Sequence, residues 1–128
     1  MKALKILLTA GLLLTAAATP AMAAEGQHRP RASLKITIAA EGAAATSVRL
    51  TCGWPGGSHP TPRAACRVLN KVKGKPAKLS NPDAICTKEF RPHTVTVKGR
   101  WYGKRVDFTR TFGNNCLMVS EGGALYRF

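Results

Sequence analysis

The chain has 128 residues, and 20 Lys and Arg against six Asp and Glu give it a net charge of +14 at neutral pH. A chain of this length forms one domain with a small core, so stabilisation beyond the core is expected. The positive charge favours anionic partners. Only 6% of the residues are aromatic, however, so the basic groove with stacking aromatics that is typical of single-strand nucleic-acid binding is weakly represented.

The first two dozen residues have the pattern of a signal peptide. Lys2 and Lys5 form a basic start, residues 6–18 are apolar and uncharged, and Ala21-Met22-Ala23 supplies a small-x-small cleavage site. We place the cleavage after residue 23, with the following alanine as an alternative. The apolar run is too short to span a bilayer, and no later segment reaches the roughly 18 residues that a membrane helix needs. We therefore expect a secreted, extracellular protein whose mature form has no membrane segment.

Residues 24–33 show no periodic pattern and are predicted to form a flexible arm, so the folded domain is predicted at 34–128. Apolar and polar residues alternate over 34–38, which is typical of a half-buried strand. A second strand of the same kind is predicted at 48–52. The segment between them, 41–45, fits either a loop or a helical turn.

Thr61-Pro62 predicts the start of a helix, because a capping hydroxyl precedes a proline at the first helical position. Apolar residues at helical spacing extend this helix from Pro62 to about Val72, and Gly74 is a plausible stop. From Lys73 to Asp83 the chain is rich in Lys, Pro, Ser and Asn, and a long surface loop is predicted.

The strand pattern returns after Pro92. Strands are predicted at 94–98 and 105–112, with a hairpin turn at Tyr102-Gly103 between them, and a last strand is predicted at 124–128. Five short strands and one clear helix predict an α+β fold, in which one or two helices pack on one face of a five-stranded antiparallel sheet.

The four cysteines are expected to form two disulfides in an oxidising compartment. The sequence alone leaves three pairings open. We favour Cys52–Cys66 with Cys86–Cys116, because the first bridge would close the Gly/Pro-rich run 53–60. Zinc is the competing use of four cysteines, but there is no Cys-x-x-Cys pair and the spacings fit no finger or ribbon. No metal site and no other cofactor are predicted.

The sequence offers few candidates for the nucleophile, the histidine or the paired acids that an enzyme would need. The cysteines are committed to disulfides, and no Gly-x-Ser-x-Gly motif occurs. His28 lies in the predicted arm, His59 in a Gly/Pro turn and His93 next to Pro92, so surface or turn roles are favoured for all three. The acidic residues form no close pair along the sequence. We therefore assign no catalytic residue.

The stretch Cys86–Pro92 combines features that suggest a constrained, exposed loop. A cysteine stands two residues before Lys88, inside an otherwise polar loop that is followed by a proline. A disulfide at Cys86 would hold such a loop rigid, as a substrate-like segment for a protease.

Other segments support this interpretation, because in combination and in order they resemble the Streptomyces subtilisin inhibitor family of secreted serine-protease inhibitors. They are Leu50-Thr51-Cys52, Gly57-Ser58-His59-Pro60, Ala65-Cys66, Gly99-Arg100-Trp101-Tyr102-Gly103-Lys104-Arg105-Val106, Arg110-Thr111-Phe112 and Asn114-Asn115-Cys116. The resemblance covers about residues 34–128. It implies a five-stranded antiparallel sheet with two helices, a homodimer paired through the sheet, and the disulfides Cys52–Cys66 and Cys86–Cys116.

The same resemblance implies that the bond between Lys88 and Glu89 is presented to the protease. The residues expected to contact the enzyme around that bond are Ile85, Cys86, Thr87, Phe90 and Arg91. Pro92 and Asn114 are expected to support the loop. Lys88 favours trypsin-like targets, with subtilisin-like proteases as further targets, whereas the acid at position 89 is expected to affect the strength and range of inhibition.

A second hypothesis is a cationic extracellular binding protein that uses the same scaffold without inhibiting proteases. It would bind an anionic surface or nucleic acid through the densest basic group, which consists of Lys71, Lys73, Lys75 and Lys78. Gly74 and Pro76 interrupt this group, so the sequence favours a solvated loop there, and nucleic acid is an unlikely partner.

Overall fold

The structure is a computed structural model that describes residues 11–18 and 29–128. The predicted cleavage site and the first half of the predicted arm lie outside these residues. Within the described ranges, no helix has the length and apolar character needed to cross a membrane.

Five antiparallel strands form one sheet, and this confirms the predicted fold class. The strands are β1 (Ala32–Ala40), β2 (Thr46–Cys52), β3 (Gly56–Gly57), β4 (His93–Trp101) and β5 (Lys104–Phe112). Their order across the sheet is β3-β2-β1-β4-β5. The hairpin between β4 and β5 turns at Tyr102-Gly103, as predicted.

Two α-helices lie on one face of this sheet, α1 (Pro62–Lys71) and α2 (Asn115–Gly122). Short 3-10 helices follow at Pro76–Lys78 and Gly123–Tyr126. The helix predicted from Pro62 is confirmed, with its end at Lys71. Gly74 has φ +73° and donates its N–H to the Leu69 carbonyl at 2.9 Å, so it closes the helix as expected.

Alternate residues of the three central strands β2, β1 and β4 point towards the helices and form the core. The largest of these fully buried side chains are Leu34, Ile36, Leu50, Val95 and Val97. The disulfide Cys52–Cys66 joins the end of β2 to α1, with the two Cα atoms 5.7 Å apart. This bridge confirms the favoured pairing and fixes α1 over the sheet.

The strand predicted at 124–128 is wrong, because α2 and the second 3-10 helix occupy residues 115–126. Asn114 caps α2 and starts the helix there. Gly122 lets the chain turn back: a Cβ atom at this position would lie 2.0 Å from Tyr126 Cδ2. The close packing of Tyr126 on the helix, and not strand pairing, explains why this aromatic residue is buried. The fifth strand is instead β3, which lies within the run predicted to be a turn.

Three boundaries also differ from the predictions. β1 begins at Ala32, whose side chain is buried, so the last two residues of the predicted arm belong to the sheet. The undecided segment 41–45 is a turn without helix. The predicted surface loop at 73–83 is partly covered, because Pro76 and Leu79 are buried.

His59 is buried, whereas its Gly/Pro-rich surroundings in the sequence favour a surface or turn role. Its Nε2 lies 3.1 Å from the Leu125 carbonyl oxygen, and its Nδ1 accepts a hydrogen bond from the Thr61 N–H at 3.0 Å. Because a carbonyl can only accept, Nε2 carries the hydrogen. The imidazole thereby links the start of α1 to the C-terminal 3-10 helix, which is a structural role.

The burial of Tyr126 makes the C-terminal segment sensitive to alkaline pH. Burial raises the pKa of the Tyr126 phenol above its ordinary value of 10.0, and the nearby Glu121 carboxylate raises it further while Arg110 lowers it. The unfolded chain therefore releases this proton at a lower pH than the folded chain does. The resulting contribution to stability is complete below pH 10 and is lost as the pH rises beyond that value.

We therefore expect the free energy of unfolding to fall less steeply between about pH 9 and about pH 11 in Tyr126→Phe than in the wild type. Urea unfolding at a series of pH values measures this difference. Tyr102→Phe, at an exposed tyrosine, is the matched control and should follow the wild-type curve. A difference between Tyr126→Phe and wild type that does not change with pH would contradict the prediction.

Candidate functional site

The predicted site lies in an irregular segment between the first 3-10 helix and β4. Residues 84–92 form no helix or strand, and Thr87, Lys88 and Glu89 are exposed. Two large apolar side chains flank them, Ile85 at 98% exposure and Phe90 at 81%. Apolar side chains this exposed on both sides of one peptide bond form a surface suited to burial by a partner.

The disulfide Cys86–Cys116 ties this loop to the first turn of α2. The two Cα atoms are 5.8 Å apart, and the bridge confirms the second favoured pairing. All four cysteines of the chain are therefore in disulfides. The bridge fixes the loop two residues before Lys88, but it acts on only one side of the Lys88–Glu89 bond.

Asn114 holds the loop on both sides of that bond. Its buried side-chain amide Nδ2 donates hydrogen bonds to the carbonyl oxygens of Thr87, at 3.0 Å, and Glu89, at 2.9 Å. Its Oδ1 accepts from the Leu117 N–H at 2.9 Å, and this contact caps α2. One side chain thus supports the loop and starts the helix beneath it.

These two hydrogen bonds also set the direction of the carbonyl between them. The Asn114 amide draws the Thr87 and Glu89 carbonyls to the same side. This is the alternation of an extended segment, in which the carbonyl between two such groups is expected to point to the opposite side. In the described part of the chain, no hydrogen bond engages the Lys88 carbonyl oxygen. The carbonyl of the Lys88–Glu89 bond is therefore available to an incoming partner.

Main-chain contacts hold the C-terminal side of the loop. The Arg91 N–H donates to the Gly113 carbonyl at 2.8 Å, and the Pro92 carbonyl accepts from the Glu41 N–H at 3.0 Å. His93 Nδ1 donates to the Arg91 carbonyl at 2.8 Å. Sequence reasoning missed Gly113 and Glu41, because both act through backbone atoms that any residue provides.

The helix that carries Asn114 and Cys116 is itself held against the sheet. Arg110 of β5 pairs with Glu121 of α2, and the Arg110 guanidinium lies 5.0 Å from the centre of the Phe112 ring. Asn81 Nδ2 donates to the Ser120 carbonyl at 3.1 Å. These contacts hold the C-terminal end of α2, while the Asn114 cap and the Cys86–Cys116 bridge hold its first turn.

Comparison with known proteins gives consistent matches. A sequence model of the subtilisin inhibitor-like family matches residues 30–114. A subtilisin inhibitor of Streptomyces violaceus is 49% identical over 113 residues, which cover 80% of this chain and 77% of that protein. A trypsin inhibitor of Streptomyces longisporus is 41% identical over 119 residues, which cover 88% of this chain and 83% of that protein.

A solved structure matches over most of the chain as well. It is sermetstatin of Streptomyces caespitosus, crystallised in complex with subtilisin of Bacillus licheniformis. The match has a TM-score of 0.59 and 31% sequence identity, and it covers 76% of this chain and 98% of that chain.

The double role of Asn114 can be separated by Asn114→Asp. The carboxylate still caps α2 and suits the positive end of the helix, but it has no N–H for the loop. We expect α2 to persist, while backbone order parameters of Thr87–Phe90 fall from about 0.85 towards about 0.6 in NMR relaxation measurements.

Asn115→Asp is the matched control, since it places the same charge one residue further on, at an exposed position. We expect it to leave the loop order parameters unchanged. A loop that stays rigid in Asn114→Asp, or loosens equally in the control, would show that these two hydrogen bonds do not order it.

Proposed function

The chain belongs to the subtilisin inhibitor-like family, and we propose that it is a secreted inhibitor of serine proteases that presents the Lys88–Glu89 bond as a substrate. The observation that carries the proposal is the pair of hydrogen bonds from Asn114 to the Thr87 and Glu89 carbonyls on either side of that bond. The names of the relatives, a subtilisin inhibitor and a trypsin inhibitor, support the same class of target.

Inhibition is explained by the fact that the loop is already held in place before a protease binds. A flexible substrate loses conformational entropy when a protease binds it in an extended form, and that loss opposes binding. Here the disulfide and the Asn114 amide have already fixed the segment. More of the contact free energy therefore appears as affinity.

The side chains of the loop determine which proteases fit. Lys88 is exposed and would place its ammonium group in the specificity pocket, where a carboxylate, as in trypsin, stabilises it. Ile85 and Phe90 would extend the contact with apolar area on both sides of the bond. Glu89 brings a negative charge to the position after the scissile bond, so proteases with cations near that position are favoured.

Cleavage of the bond would not release the loop. The new end at Lys88 stays attached through Cys86–Cys116 and the Thr87 carbonyl, while the new end at Glu89 stays attached through its own carbonyl and the Arg91 N–H. Two ends held close together behave as reactants at a high effective concentration. Religation then competes with hydrolysis, and the protease remains occupied.

In this proposal the chain supplies a bound substrate and no catalytic group, so it is not an enzyme. The homodimer expected from the resemblance stays a prediction, and inhibition does not need it because every described anchor of the loop lies in the same chain. The second hypothesis, a cationic binding protein that replaces inhibition, has no support among these relatives, whose names are those of protease inhibitors.

Lys88→Gly removes the side chain that would fill the specificity pocket. We expect the inhibition constant for trypsin to rise at least about 100-fold, as for a central anchor of an interface. Lys73→Gly is the matched control: Lys73 is exposed and has φ +53°, a conformation that glycine adopts easily. Titration of active trypsin measures both variants. Unchanged inhibition in Lys88→Gly would refute the site, and wild-type protein that inhibits neither trypsin nor subtilisin would refute the function.

Trace trypsin provides a direct test of the mechanism. We expect slow cleavage at Lys88–Glu89 before any other Lys or Arg bond, with the mass of the intact chain plus one water. The two pieces should separate only after reduction, since among the described residues Cys86–Cys116 is the covalent link across the cut. Earlier cleavage elsewhere, seen by mass spectrometry, would contradict a protected and selectively presented bond.

A further inference from the structure

A long stretch of this chain carries basic side chains without acidic ones. From Gly42 to Pro82 the sequence contains no Asp or Glu. Arg63, Arg67 and Lys71 follow each other at intervals of four residues along α1, and all three are exposed. Residues at this spacing lie on one face of a helix, and this face is opposite the one that enters the core.

A fourth basic side chain lies beside these three in the structure, although it is not part of α1. Lys78 lies in the 3-10 helix after α1, yet it lines the same shallow depression of about 310 Å³ as Lys71. We name Arg63, Arg67, Lys71 and Lys78 the basic ridge. Glu121 also lines this depression, but its carboxylate is paired with Arg110.

The basic ridge opposes the stability of α1. Like charges four residues apart destabilise a helix, and a cation in the first turn, as at Arg63, opposes the helix dipole. The first turn of α1 has no acidic residue. In the described ranges, the one ion pair is Arg110–Glu121, so no carboxylate within them pairs with the basic ridge. An external anion would offset this repulsion.

We propose that the basic ridge binds a linear polyol phosphate polymer, a chain with one phosphodiester per repeat and hydroxyl groups between. Four residues of helix rise by about 6 Å, and a flexible polymer can place successive phosphates at that spacing. A guanidinium group, such as that of Arg63 or Arg67, can donate two parallel hydrogen bonds to two oxygens of one phosphate.

The composition of the basic ridge disfavours two other anionic partners, nucleic acid and a lipid surface. Residues 62–78 contain no aromatic side chain, so the segment that carries the basic ridge offers no platform of its own on which nucleic-acid bases could stack. The apolar side chains beside the basic ridge, Val68 and Val72, are half-buried and pack against the core. They are not available for insertion into a lipid surface.

The basic ridge lies mainly on α1 and reaches only the C-terminal end of α2, whereas the inhibitory loop is anchored at the other end of α2. α1 packs on β2 and the C-terminal 3-10 helix, whereas the loop is anchored by α2 and the start of β4. A protein held on a polymer through α1 would keep its loop free. The basic ridge would thus retain the inhibitor on a phosphate-rich surface while it captures proteases.

Binding to poly(glycerol phosphate), measured by titration calorimetry at several salt concentrations, tests the proposal. We expect Arg67→Gln/Lys71→Gln to weaken binding at least about tenfold and to reduce the slope of log affinity against log salt by about 1.4, because each contact contributes about 0.7. A second ridge variant, Arg63→Gln/Lys78→Gln, should behave alike. The matched control, Lys35→Gln/Lys98→Gln on exposed residues of the sheet face turned away from the helices, should stay within about twofold of wild type.

Three results would overturn the proposal. They are no binding of wild type at low salt, an equal loss in the control, and tighter, base-dependent binding of single-stranded DNA of equal charge. Trypsin inhibition measured on the same samples shows that each variant is folded. It also separates the two proposals, since a failure of the polymer test leaves inhibition intact and a failure of inhibition leaves the polymer test intact.

Discussion

The side chain of Asn114 joins the loop to the helix that supports it, and the geometry of the site depends on this contact. A hydrogen bond of this kind contributes about 1 kcal/mol, whereas the Cys86–Cys116 bridge contributes on the order of 3–4 kcal/mol, largely by restricting the unfolded chain. The bridge therefore contributes more stability. It does not, however, orient the peptide groups beyond Cys86, and the two bonds from Asn114 do, because they hold the carbonyls on both sides of Lys88.

The position of Asn114 depends in turn on the last residues of the chain. The N-terminus of α2 stays in place only if the rest of the helix is fixed, and Glu121 and Gly122 fix it through Arg110 and the ring of Tyr126. Tyr126 also packs near Phe112, with ring centres 6.1 Å apart. The loop is exposed, but its order comes from a buried C-terminal segment.

Sequence patterns predicted the parts of the fold that local chemistry decides. The alternation in β1, the Thr61-Pro62 start of α1 and the Tyr102-Gly103 turn each depend on neighbouring residues. The prediction failed at 124–128, where the packing of Tyr126 on Gly122 decides the conformation. It also missed the burial of His59, whose partner Leu125 is 66 residues away. At the loop, Asn114 was recognised through the family resemblance, whereas Gly113 and Glu41 contribute only backbone atoms.

The exposed face of the sheet constrains the homodimer that the resemblance implies. Arg49, Lys35 and Lys98 stand side by side on β2, β1 and β4 and are all exposed, with Asp107 as the next residue across on β5. Like charges placed directly opposite each other on a sheet are already unfavourable within one copy. Two copies packed through this face would add further repulsion and remove water from the same cations. In a dimer packed through this face, an offset that places Asp107 against these cations would reduce the repulsion, and so would anions between the sheets. The described anchors of the inhibitory loop, by contrast, all lie in one copy.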